Sequence, residues 1–334
     1  MERFVFVAAI AMAIIFGIGA VVGGPHFSFS GSWDGDGEGL GSAPIVAVSP
    51  GRMDAQTFAG SELRLRHLAA NVTITPEDRT DFSVEIDNSG GRLPMPTVAT
   101  DDGRLLIDGQ LRGRIRDCGE GGAATVRGYG DGETPAAELP RITIRAPRDL
   151  RIDRNGAGTT EVGATQSLNL EVSGCSNTTI ADVAGELRLD AAGSGDINAG
   201  AAQSLDADVA GSADVVVGVV SSGATIDIAG SGSVTIASLT GPLNSDGAGS
   251  GSVTVNGGAV TLAEIDLAGS GDVSIAAPVQ DLNVSIVGSG DVDVAGEVGN
   301  IEADIAGSGG VSAQSVTGTI RQEVLGSGEV SVGR

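Results

Sequence analysis

The stretch AGSGDVSIAAPVQDLNVSIVGSGDVDV, residues 268–294, holds two copies of one unit. Each copy is a Gly-Ser-Gly turn followed by Asp-Val, with apolar residues alternating on both sides. Val273 and Ile275 follow the first turn; Leu282, Val284 and Ile286 precede the second. Such period-two alternation reads as half-buried β-strand, and no 3.6-residue period is sustained. The turn or a close variant begins at Gly193, Gly211, Gly230, Gly249, Gly269, Gly288, Gly307 and Gly326, at steps of 18, 19, 19, 20, 19, 19 and 19 residues. Degenerate copies at Gly156 and Gly174 extend the series to ten units, from about Leu150 to Arg334.

A unit of about 19 residues with two short strands cannot bury its own apolar face; stacking the units does so. The pattern therefore predicts an all-β fold, a parallel β-solenoid of ten coils at residues 150–334. At ~4.8 Å per coil the stack is about 45 Å long. An antiparallel meander explains alternation equally well, but not why both strands of every unit carry a fixed signature. The turn glycines are expected to supply positive φ. After Tyr129 the chain has no aromatic residue, as suits a narrow interior filled by Val, Ile, Leu and Ala.

Counted from the first turn glycine, position −3 points outward and reads Asp153, Glu171, Asp190, Asp208, Asp227, Asp246, Asp266, Ser285, Asp304 and Glu323. Stacking turns this into a carboxylate ladder. Asp190, Asp208, Asp227, Asp246, Asp266 and Asp304 are its candidate cation-binding members, since carboxylate oxygens suit Ca²⁺. The alternative is a solvated face that blocks sheet aggregation by like charge. Two charges ~4.8 Å apart in water repel by only about 0.9 kcal/mol, so the ladder needs no cation to exist. A second acidic row at position +3, including Asp196, Asp272 and Asp291, is expected to serve local Asx turns.

Outside the repeat, residues 51–149 alternate less regularly and read as first coils or an N-terminal cap. Residues 25–50 are rich in Gly, Ser and acids and read as a linker. An uninterrupted apolar run spans Phe4 to Val22, so residues 1–24 are a cleaved signal or a retained membrane anchor in helical form. Either exports the rest of the chain, to the periplasm, the outer surface or the medium. An oxidising compartment permits a disulfide between Cys118 and Cys175, the only two cysteines.

Composition excludes several functions. There are 43 acids against 19 basic residues, all Arg, and the formal net charge is −24. Nucleic-acid binding needs a basic surface and often stacking aromatics, and is excluded. The repeated serines (Ser194 through Ser327) are equivalent copies without an adjacent base, and the two histidines, His26 and His67, lie outside the repeat. A polysaccharide-cleaving site needs a carboxylate pair unlike its neighbours, whereas these acids are periodic. No enzyme activity, catalytic residue or cofactor is expected.

The repeated Ala-Gly-Ser-Gly-Asp-Val unit, as at 268–273, together with Arg-Asp-Cys-Gly at 116–119, resembles the bacterial head GIN domain family of auto-transporter adhesin-like proteins. The resemblance covers about residues 55–334. It implies a right-handed β-helix, an extracytoplasmic place and adhesion to a surface ligand, glycan or envelope component, with no catalytic residues. Two other roles are open: a self-associating envelope scaffold, because solenoid ends expose strand edges, and a Ca²⁺-dependent structural module.

Overall fold

The computed structural model describes residues 45–130 and 132–333, of which every long element is a β-strand; the expected N-terminal helix and the anchor at 4–22 lie outside them. Among the described residues no helix is long and apolar enough to cross a membrane.

The repeat is a parallel stack, which excludes the meander. Leu168 pairs with Leu187, then with Leu205, Ala224, Leu243, Ala263, Leu282, Ile301 and Ile320 in turn, coil after coil. On a second side Val215, Val234, Val253, Val273, Val292 and Val311 form a like row. Both rows up to Ile301 and Val311 are buried, within one continuous core that runs from Leu63 to Ala313, while Ile320 in the last described coil is exposed. The alternation dictates this, because only one parity of each strand faces inward.

A third side is present that the alternation did not reveal. Val183, Ala202, Val220 and Leu239 pair in sequence there, as do Val260, Val279, Val298 and Val316. Its only sequence signal is one buried aliphatic per coil, nine or ten residues before the turn. This side also absorbs the uneven steps. The 20-residue coil carries its extra residue between Val260 and Ala263, opposite Gly241 and Leu243. Both flanking sides thereby keep their register.

The corner glycines are required twice over. Gly193 has φ 140° and Gly307 φ 145°. A Cβ on either would lie 2.0 Å from the carbonyl oxygen of the corner glycine one coil earlier, Gly174 or Gly288. The second glycine of the turn serves approach alone: φ is not positive at Gly290, yet a Cβ there would stand 2.1 Å from the Gly271 oxygen.

Residues 51–149 both extend the stack and close it. Glu62–Ala69 runs parallel to Asp149–Ala157, and Asn71–Glu77 parallel to Thr159–Val162, making a coil without a Gly-Ser-Gly turn. His67 occupies its corner at φ 47°. Beyond it the stack ends on antiparallel strands. Thr97–Asp101 pairs with Arg104–Asp108, and Gly51–Ala59 pairs with Asp81–Asn88 around a bulge between Met53 and Gln56. A small antiparallel sheet (Ile115–Cys118, Ala124–Val126, Glu133–Thr134) packs its own cluster of Leu111, Val126 and Tyr129 against Ala69 and Ala157. Cys118 in this sheet is joined by a disulfide to Cys175, in the corner of the second coil, with Cα atoms 5.8 Å apart.

Candidate functional site

Parallel register determines where the outward carboxylates stand. Asp190 pairs with Asp208, Asp208 with Asp227, Asp227 with Asp246 and Asp246 with Asp266. Ser285 follows, then Asp304 and Glu323. The ladder residues thus stand in single file on one side of the solenoid.

The file is not a uniformly solvated face. Asp153 is buried, and Asp190, Asp208 and Asp227 are half-buried; Asp246, Asp266 and Asp304 are more open. Basic partners gather at its N-terminal end. Arg66 meets Asp153, and Arg151 meets Glu171 at 2.7 Å. Arg188 lies 2.8 Å from Asp206, 3.5 Å from Asp208 and 3.8 Å from Asp190. Among the described residues no ion pair reaches Asp227, Asp246, Asp266 or Asp304.

These environments raise carboxyl pKa values. Partial burial pushes Asp190 up to about 6, aided by a hydrogen bond with Asp208 and by its charge. Burial, then the charge of Asp246, pushes Asp227 up to about 6 as well. Asp208, Asp246 and Asp266 are raised for the same first reason. A row of acids at one coil spacing therefore holds its protons to higher pH than isolated carboxyls do.

Calcium takes six to eight oxygens. Among the described residues no group of three or more His, Cys, Asp or Glu is arranged to hold a metal ion. A single file of carboxylates offers one or two neighbours to each member and encloses no space, so it fits a calcium cage poorly.

The +3 row differs from the expected local turns. Asp272 accepts the backbone N–H of Asp291 at 3.0 Å, and Asp291 accepts that of Gly310 at 2.8 Å, each 19 residues on. Asp214 likewise accepts the Ser233 hydroxyl at 2.6 Å. These side chains tie one coil to the next. At the third side Asn300 donates to Asp281 and accepts from Thr319, both one coil away. Asp281, Asn300, Glu302, Thr319 and Arg321 line an open polar groove there, and Glu186, Ser204, Asp206, Thr225 and Asn244 line another.

Arg154 carries no mark in the alternation, where it takes the inward −2 position of the first coil. It is fully buried. Its guanidinium donates to the carbonyls of Leu68, Ala70, Asn155 and Ala157 and to the Thr160 hydroxyl. Burial pulls its pKa down to about 10, which leaves it charged at neutral pH. The carbonyls it satisfies lie where the stack passes from the coil without a glycine corner to the first that has one. His67, at that corner, bonds Asp108 at 3.1 Å rather than a serine.

The fold and the file of acids define a class: an acidic, disulfide-tied β-solenoid with repeated polar flanks. Residues 149–220, 188–297 and 246–333 match the family described as "Putative auto-transporter adhesin, head GIN domain", together more than half of the chain. The chain belongs to this family. No curated protein matches it. Among solved structures it is similar to a "putative adhesin" from Parabacteroides distasonis at 14% identity, covering 86% of this chain and 100% of that one, with a TM-score of 0.37. A "putative lipid binding protein" from the same organism gives 16% identity, 86% and 99% coverage and a TM-score of 0.38. A "putative adhesin" from Parabacteroides merdae gives 14%, 87%, 99% and 0.36.

Proposed function

We propose that this chain is an exported, non-enzymatic binding module of the bacterial envelope, wound right-handedly as parallel crossovers are. It holds an external surface ligand, a glycan or an envelope component through its repeated flank. One observation carries this reading: successive coils present equivalent outward side chains in unbroken register, from Asp190 through Asp266. Among the described residues the outward side chains of the ladder repeat from coil to coil, as suits a binding flank. A row of equal weak sites suits a partner that is itself repetitive, because each further contact then forms at high effective concentration. With a net charge of −24 the partner is neutral or basic. Family membership and the apolar run Phe4 to Val22 support export.

The test is protease treatment of intact cells, followed by the fate of residues 150–334, with a periplasmic protein as control. Loss of this region with the control intact supports surface display, and saturable binding of the purified protein to neutral glycans completes the case. Full protection confines the protein to the periplasm and removes the adhesive reading.

A further inference from the structure

The polar flank is broken at one place in the middle of the stack. The residue just before each inward Leu of the first side points outward: Glu186 before Leu187, Ser204 before Leu205 and Pro242 before Leu243. In the coil between the last two this position is Gly223, at φ 118°. The inward position beside it is Ala224, which pairs with Leu205 on one side and Leu243 on the other. A side chain is thus missing from the outer row, and a short one stands where its neighbours are leucines. The Pro242 ring borders the gap; a Cβ on Gly223 would lie 3.0 Å from it. The two small residues leave an open notch of about 300 Å³. That is the lower end of the ~300–1,000 Å³ usual for small-molecule sites.

We infer that this notch holds one sugar unit of a neutral polysaccharide, an inference that deepens the binding reading above and rests on it. The walls are polar and uncommitted. Asp206, Thr225 and Asn244 stand in register on successive coils, with Ser204 and Ser222 beside them. Among the described residues the side chains of Ser204, Ser222, Thr225 and Asn244 take part in no hydrogen bond. Hydroxyls and an amide both donate and accept, which is what sugar hydroxyls require. The groove at Asp281 and Asn300 lacks this freedom, because Asn300 already bonds Asp281 and Thr319. The floor of the notch is apolar: Leu205, Ala224 and the Pro242 ring border it and offer a surface for the C–H face of a pyranose. Charge selects a neutral ring. Glu186 and Asp206 both repel an anionic sugar. Asp206 is already paired with Arg188 at 2.8 Å, which leaves Glu186 alone to attract a cation. The notch is open, so a polymer continues past the bound unit in both directions.

Binding of the purified full chain, in a detergent without sugar groups, to an array of neutral oligosaccharides tests it. Acidic oligosaccharides and polylysine are the other arms. Saturable binding to a neutral oligosaccharide is expected. Thr225→Trp fills the notch from an exposed wall and is expected to weaken that binding ~tenfold or more. Asn244→Ala removes a donor and an acceptor and is expected to weaken it about threefold. Ser274→Ala, exposed on another side of the solenoid, is expected to leave it unchanged. Circular dichroism checks that each variant keeps its β-structure. Glycan binding that both notch variants leave intact overturns the notch and preserves the binding reading. A preference for acidic oligosaccharides or for polylysine overturns the neutral sugar. The absence of any saturable binding overturns the inference together with the reading it rests on.

Discussion

Asp227 and Asp246 occupy one register position on adjacent coils, and the charge of Asp246 is the largest cause, after burial, of the raised pKa of Asp227. The folded-state values, about 6 for Asp190 and Asp227, lie above the ordinary value of 3.8. An acid whose folded pKa is raised contributes stability that is fully present below the unfolded pKa and lost as pH rises through the folded one. Melting temperature is therefore expected to rise as pH falls from about 7 to about 4. Asp227→Asn should flatten that slope and stabilise the protein at pH 7 by on the order of 1 kcal/mol, after discounting for solvent screening. Calorimetry across this range decides it; a slope unchanged by the variant would refute a ladder that holds its protons to higher pH.

Corner glycines and flank glycines should behave differently. Gly288→Ala places a Cβ 2.1 Å from the Gly269 oxygen at φ 139°. A loss of at least ~2 kcal/mol is expected. At Gly257 the nearest atom to a Cβ is 3.7 Å away, so Gly257→Ala is expected to change stability little. Urea titration of the two variants separates them.

Arg154 should resist conservative replacement. Arg154→Met removes the buried guanidinium donor from the carbonyls of Leu68, Ala70 and Ala157, of which Ala157 keeps the Ala70 N–H, at a cost of roughly 3 kcal/mol. Arg154→Lys lacks the planar fork and cannot reach all of them. Both variants are expected to unfold at lower denaturant, and a lysine variant equal to the wild type would count against the clamp.

The Cys118–Cys175 bond spans 57 residues. By loop entropy its loss is expected to cost about 4 kcal/mol. The first effect of reductant should be faster proteolytic cleavage within residues 109–133, because the small sheet is tied to the second coil by this bond. Limited proteolysis with and without reductant reads it directly.

Calcium should do little. The carboxylates stand in single file, so melting curves in calcium and in chelator are expected to coincide. A saturable rise in calcium would restore the cation reading.

The coil period, the two alternating sides, the inward Leu187 and Leu205 and the outward Asp190 and Asp208 are all legible in the amino-acid sequence. Repetition makes one local pattern count ten times, and strand parity alone decides which face is apolar. The third side was hidden because a single aliphatic per coil, such as Val279, has no alternation to mark it. Arg154 was hidden because its partners are backbone carbonyls, which no sequence pattern displays. Asp272 was misjudged as a local turn residue because its acceptor geometry joins residues 19 apart. The sequence by itself determined the stack, since the same signature on both strands of every unit is accounted for by stacking equal coils and not by a meander. Tertiary structure alone decided the uneven burial along the acid ladder, the closure of one end and the pairing of Cys118 with Cys175, because each depends on how near residues distant in sequence come to rest.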